Sequence, residues 1–413
     1  MIDVQAIVFI STIAIFLLYS IKQNSIAKDQ TEFTLSGRGL SASGVAFIII
    51  GTLVGGASTI GTAQMAYEYG YPALIFTFSS AFACLILGLF FASNLREAEP
   101  VTIVELIGKY FDHNLRRYLS IFALTGLLLQ TVAQFMAASS IIRSNKYTNE
   151  LTATLITAFF ILFFAVLFGS KGASFLGKYK LYMLYFIGIL STILIFSQKI
   201  PLTQLHFNDY GKNRFAIDTI STIIGVLSTQ TYLQAIFSAK DIKAAKNGAL
   251  LSAILIPPIG IMFYLIGIHM KSINSSVTAT SSVLPLFIET YFHPLLGSVF
   301  LAFLFIISVG TASGLFFGSL TMLFEDYIKI VIPKINTMIF YRLIGIILIS
   351  IPVLISISNL KSSILEWSYM SMGLRGSSIF LPLLAITFNI KNRPIYILFY
   401  LLPIIYLTFL IIR

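Results

Sequence analysis

Apolar residues along this chain come in long, nearly unbroken runs rather than in alternating or one-sided patterns. Twelve runs approach or exceed the roughly 20 residues that a helix needs to cross a bilayer. They cover 4–21, 43–69, 71–93, 118–142, 150–169, 180–198, 216–238, 248–270, 296–323, 340–359, 363–389 and 394–412. Short polar stretches separate them and leave no room for a soluble domain. Only helices and closed barrels satisfy their own backbone hydrogen bonds in lipid. The pattern therefore predicts one all-α, polytopic transmembrane bundle of about 12 spans.

Composition agrees. The 413 residues are 57% hydrophobic and 10% charged, whereas soluble domains carry roughly 25% charged residues. The mean hydropathy is +0.91. Cys84 is the lone cysteine, so no intramolecular disulfide forms. The four histidines are scattered without metal-ligand spacing. The first run has Asp3 before it and Lys22 after it, the reverse of a cleavable signal peptide, and reads as a retained span.

The net charge of +11 sets topology rather than nucleic-acid binding. With the N-terminus outside, 18 Lys and Arg fall in the loops of one side and eight in those of the other, with Arg375 inside a span. The richer side is cytoplasmic by the positive-inside rule. The chain is thus expected to be a multi-pass protein of the cell membrane, in the bacterial or archaeal inner membrane, with both termini outside. The partners expected are the lipid bilayer and a small-molecule substrate, with neither nucleic acid nor an obligate protein partner.

The second run carries the most unusual chemistry. Its core reads Gly51-Thr-Leu-Val-Gly-Gly-Ala-Ser-Thr-Ile-Gly-Thr-Ala-Gln-Met-Ala-Tyr-Glu-Tyr-Gly70. Gly55 and Gly56 fall near its middle, where glycine weakens a helix. Unwinding there would free carbonyls for a cation and amides for an anionic group. Gly55, Gly56, Ala57 and Ser58 would then line a solute pocket, and Ser58 and Thr59 would add hydroxyls. The competing reading is a small-residue packing ridge through Gly51 and Gly55.

Other polar residues inside the runs are candidates for the same pocket. Gln130 and Gln134 share one face of the fourth run; they bind solute, Gln134 foremost, or glue helices together. Gln230, Tyr232 and Gln234 lie in the seventh run, where a second broken helix is expected, and serve solute, gate or packing. Arg375 lies well inside a run, at a cost of at least roughly 2.5–3.5 kcal/mol, so it faces a cavity or a partner. It counters an anionic substrate, pairs with helix C-terminal carbonyls or braces a gate. Glu68 lies near the outer end of its run and is expected to be solvated. A weak echo links Ile107, Tyr110 and Phe111 with Ile288, Tyr291 and Phe292, two short stretches on opposite sides of the membrane. Inverted repeats place equivalent segments that way. Enzyme motifs are absent: the sequence contains no His-Glu-x-x-His, no Gly-x-Ser-x-Gly and no phosphate-binding loop.

Several of these stretches together resemble the sodium:solute symporter family. They are Glu32-Phe-Thr-Leu-Ser-Gly-Arg38, the Gly51–Gly70 segment, Pro100-Val-Thr-Ile-Val-Glu105, Gln230-Thr-Tyr-Leu-Gln234, Ala239-Lys-Asp-Ile-Lys-Ala-Ala245 and Ser308 to Asp326. The resemblance implies a LeuT-like five-plus-five inverted repeat with broken first helices. It divides the chain into an extra N-terminal helix (4–21), a first repeat (43–198), a second repeat (216–389) and an extra C-terminal helix (394–412). It implies sodium-coupled symport of a small polar organic solute by alternating access. Sodium would bind the carbonyls of Gly51, Val54 and Ile307 and the hydroxyl of Thr311.

The chain departs from the family's pattern at two points. Where many members have two adjacent hydroxyl residues, it has Gly310-Thr311, with Ser308 one turn away as a substitute. Where some members have an aspartate, the alignment gives Lys178, which stands in for sodium, repels it, or is an ordinary cytoplasmic-edge lysine. A proton-coupled or uncoupled transporter of the same fold is the alternative, and a membrane solute sensor is the alternative of another class.

Overall fold

The structure is a computed structural model that describes residues 4–23, 38–144, 149–198, 210–277, 279–332, 337–358, 363–390 and 395–412. Of the family-like opening stretch, Glu32 to Gly37 therefore lies outside the described residues. Every regular element among the described residues is helical. Nine helices are long and apolar enough to span a membrane, and a bent pair makes a tenth span. Shorter apolar helices, Leu151–Ala165 and Leu343–Ile357, fall at the other two of the twelve expected positions.

In chain order, α1 (Val4–Gln23) is followed by the bent pair α2 (Ala42–Leu53) and α3 (Thr62–Tyr69), joined through a π-turn at Ala57–Gly61. Next come α4 (Ile75–Ile86), α5 (Ala92–Ala98), the short α6 (Ile103–Tyr110), α7 (His113–Ser144) and α8 (Glu150–Ser197). The second half opens with α9 (Lys212–Leu227) and α10 (Gln230–Phe237), then α11 (Ile242–Ile273) and the short α12 (Val283–Tyr291). It closes with α13 (Pro294–Leu323), α14 (Lys329–Val331), α15 (Thr337–Leu348), α16 (Ser350–Ile357), α17 (Ile364–Thr387) and α18 (Ile395–Ile412).

The break expected in the span over 43–69 is present, as two helices bent by 64°. Two other expectations need correction. The spans expected at 150–169 and 180–198 run together in α8, because nothing between them stops a helix: the stretch has no proline, and glycine alone is tolerated. The span expected at 340–359 is interrupted at Ile349. The second break lies where the sequence places it. Ser228 (φ −111°, ψ 3°) and Thr229 (φ −84°, ψ 119°) leave helical geometry between α9 and α10.

The sequence echo has a structural counterpart. Helices α6 and α12 end alike, with the Phe111 amide donating to the Ile107 carbonyl (2.9 Å) and the Phe292 amide to the Ile288 carbonyl (3.1 Å). A strand-like clasp joins the two halves: Leu40 donates to the Ser238 carbonyl (3.0 Å) and accepts from the Lys240 amide (2.9 Å).

Helix α13 is the buried axis, with every residue from Leu304 to Met322 out of solvent. Its small residues let neighbours approach. A Cβ at Gly314 would meet Thr52 Cγ2 at 2.4 Å, and one at Gly318 would meet Thr231 Cγ2 at 2.5 Å. That is the close packing that Gly at every fourth position predicts. By contrast α1 and α18 show most of their surface to the surroundings, as helices outside the core should.

Candidate solute and cation site

The break in the first core helix is built by its own sequence. Val54 turns out of helical geometry (φ −92°, ψ 103°), so the carbonyls at the end of α2 lose their partners within the helix. Ser58 and Thr59 repair the far side. Ser58 Oγ accepts from the Gly55 amide (2.8 Å) and donates to the Gly55 carbonyl (3.0 Å). Thr59 Oγ1 donates to that same carbonyl at 2.9 Å. These hydroxyls cap the break. Gly55 is required sterically, since a Cβ there would lie 2.2 Å from Thr311 Oγ1 and 2.7 Å from Gln134 Oε1. A Cβ at Gly56 would lie 2.2 Å from Ala137 Cβ and 2.6 Å from Ser308 Oγ.

Four of the five expected cation ligands meet on the near side. Thr311 Oγ1 lies 3.2 Å from the Gly51 carbonyl, 3.3 Å from that of Val54 and 3.1 Å from that of Ile307. Ser308 instead turns its hydroxyl back to the Leu304 carbonyl (2.9 Å) and faces Gly56. Carbonyls and a hydroxyl suit a hard cation, but one is already there. Lys180, 1% exposed, donates from Nζ to the Gly51 carbonyl and to Thr311 Oγ1.

Sequence reasoning examined Lys178, two residues too early. Lys178 is exposed, with its ammonium 5.7 Å from the Tyr179 ring centroid. As the first residue of the run at 180–198, Lys180 reads from the sequence as a lysine at the edge of a span. Only the rotation of α8 turns it inward, and no pattern in a run apolar on every side reveals that rotation.

On the other side of the break, α7 supplies a polar face. Gln134 Oε1 accepts from the Ala57 amide at 3.4 Å, and its fully buried Nε2 has no hydrogen-bond partner among the described residues. One turn earlier Gln130 donates to Ser368 Oγ (2.9 Å) and accepts from Arg375 Nη2 (3.3 Å). Arg375 is fully buried. Its Nε donates to the Ser371 carbonyl (3.2 Å), while Nη1 has no partner among the described residues. Gly126, a further turn back, makes room, since a Cβ there would lie 2.5 Å from Arg375 Cγ. Tyr232 is also buried. The break, Gln134, Gln130 and Arg375 thus form one continuous polar track.

Gln230 is not on that track. It accepts from the Ile103 amide (2.9 Å) and donates to the Val101 carbonyl (3.1 Å), holding the start of α6. It belongs to a closure at one end of the bundle, whose hub is Asp326. The Asp326 carboxylate accepts from Arg116 (2.6 Å), Thr102 (3.0 Å) and Ser120 (3.3 Å). Gln234 lines a cavity of about 10 Å³ with Thr52, Thr231 and Gly314, room for one water.

The opposite end has its own closure. Arg214 pairs with Glu366 and, at 3.6 Å, with Asp218, and its guanidinium lies 4.5 Å from the Tyr210 ring centroid. Glu68, expected to be solvated, is half-buried and accepts from Thr280 and from Gln64 (3.2 Å).

A model of the sodium:solute symporter family matches residues 33–392. The chain belongs to that family. Its members are transporters rather than enzymes, and sodium is the coupling ion of the family. Among solved structures, a Na+-coupled sialic acid symporter in a substrate-bound outward-open state is similar at 16% identity, with a TM-score of 0.75, over 92% of this chain and 87% of that one. A manganese transporter from Eremococcus coleocola is similar at 14% identity, with a TM-score of 0.53, over 93% of this chain and 88% of that one. Both likenesses establish the LeuT-like fold. No curated protein matches the chain.

Proposed function

We propose that this symporter-family member takes up a small polar organic solute bearing an anionic group by alternating access. The observation that carries the reading is the distribution of buried charge. Five charged residues are buried among those described: Lys180, Asp218, Glu325, Asp326 and Arg375. The three acids sit in the two closures, where basic or hydroxyl groups answer them. The middle keeps two cations and no acid, and a solute carboxylate would offset one of those charges. Arg375 Nη1 and Gln134 Nε2 are the donors available to it, and an unmatched buried donor is costly. Sialic acid, carried by the first structural neighbour, is itself a carboxylate-bearing sugar.

The closures suit alternating access, since each ties several helices together at its own end of the bundle, and one can hold while the other opens. The paired breaks at 54–56 and 228–229 and the paired helices α6 and α12 support repeats at 43–198 and 216–389. The bias of Lys and Arg supports an inner-membrane protein with its N-terminus outside. A thermal-shift screen of the purified chain tests the solute claim, because a ligand stabilises the state it binds. Carboxylates should raise the melting temperature where their amide analogues do not, and Arg375→Gln should erase the difference. Equal stabilisation by acid and amide, or a carboxylate preference that survives Arg375→Gln, would sink the reading.

A further inference from the structure

The cradle between the broken helix and α13 poses a question independent of the solute: what positive charge completes it. We propose that the Lys180 ammonium is the resident cation of the site built by Gly51, Val54, Ile307 and Thr311, so that this cradle does not take a free sodium ion.

The partners are those of an ammonium. The Thr311 hydroxyl has one proton and three carbonyls within reach, those of Gly51, Val54 and Ile307. It therefore receives from Lys180. The Gly51 carbonyl, the other partner, only accepts. The negative ends of the backbone dipoles at the end of α2 converge on Nζ and supply the compensation that a buried charge needs. The same field would draw a metal ion, which is why the two compete. Two unit charges about 4 Å apart in a protein-like dielectric repel enough to weaken the ion's binding roughly a thousandfold.

The surrounding backbone is shaped for the lysine. A Cβ at Gly177 would lie 1.9 Å from the Phe47 carbonyl oxygen and 3.3 Å from Gly51 Cα, so α8 lies directly against α2 there. Lys180 follows one turn later on the same face. Its stem then passes Gly310, where a Cβ would come within 3.1 Å of Lys180 Cδ. Gly177 brings the root of the side chain to the cradle, and Gly310 clears its path.

The consequence is a cation that is tethered. It ties α8 to both the break and α13, and it cannot leave with the solute. Any sodium that drives this chain binds outside the cradle.

The test compares melting temperatures of the purified full chain in sodium chloride and in choline chloride at matched ionic strength. In the wild type, whatever sodium response exists should be unchanged by Thr311→Ala. In Lys180→Ala the emptied cradle should gain a saturable sodium-specific stabilisation of several degrees beyond the wild type, and Lys180→Ala/Thr311→Ala should lose that gain. A wild-type sodium response that vanishes in Thr311→Ala overturns the proposal, as does a folded Lys180→Ala with no added response. If Lys180→Ala does not fold, the Thr311→Ala comparison in the wild-type background decides.

Discussion

Neutralising Asp326 should open the end of the bundle that it closes. The carboxylate is fully buried and binds Arg116 through Nε (2.9 Å) and Nη2 (2.6 Å), with Thr102 and Ser120 completing its shell. It thereby holds the turn at Phe324–Ile328, which continues α13, to α6 and α7, and Gln230 on α10 is fastened to the same corner. Asp326→Asn keeps the shape and leaves the Arg116 guanidinium, only 12% exposed, without its counter-charge. Breaking a buried pair from one side costs about 3–5 kcal/mol. If about 3 kcal/mol of that falls on the closed state, the open population rises roughly a hundredfold, at about 1.4 kcal/mol per decade. Maleimide labelling of Gln234→Cys, in a Cys84→Ala background, reads the opening because Gln234 lines the water-sized cavity behind this corner. Labelling should quicken by roughly two orders of magnitude in Asp326→Asn. Adding Arg116→Met should recover part of the loss, because the stranded charge is then gone. A labelling rate equal to the parent's in folded Asp326→Asn would refute the argument, as would strictly additive costs in the double variant.

Two further outcomes follow from the site and its flank. Gly55→Ala places a methyl 2.2 Å from Thr311 Oγ1, so it should lower stability by about 1–3 kcal/mol and abolish uptake; an unchanged melting curve with normal uptake would contradict the required contact. Burial alone would raise the Glu105 carboxyl, but the Lys109 ammonium and the Val101 amide together bring it below its ordinary value. Its contribution is therefore present above the ordinary carboxylate range and fades as pH falls through the lowered one. Glu105→Gln should flatten the acid limb of the stability profile, and an identical limb in the variant would show that the carboxylate contributes nothing.

How far the sequence reached depended on what each feature encodes. Spans were legible because lipid demands long apolar helices, and that demand is written residue by residue. The two breaks were legible for different reasons: Gly55-Gly56 as a composition signal, Ser228-Thr229 only through the repeat. The helices α6 and α12 showed themselves by a three-residue echo. What could not be read was which way a wholly apolar helix faces. In α8, Lys178 and Lys180 carry the same chemistry two positions apart, and one is exposed while the other is buried. Gln230 illustrates the same limit from the other side, a buried amide whose partners are backbone groups about 130 residues earlier in the chain. Such pairings arise from assembly and leave no local mark.

The two buried cations of the middle also bear on each other. A symporter that brings a metal ion and an anion to its centre adds nearly cancelling charges to a neutral site. Here the site already holds Lys180 and Arg375, with no acid between the closures among the described residues. An incoming anion then removes excess positive charge, whereas an incoming metal ion would add to it. The polar track from Gly55 through Gln134 and Gln130 to Arg375 gives the anion its donors. The clash at Gly55 shows how closely that track and the cation cradle share one piece of backbone. Movement of the broken helix would therefore shift both together, and the tethered ammonium makes that movement answer to the solute rather than to an ion at this cradle.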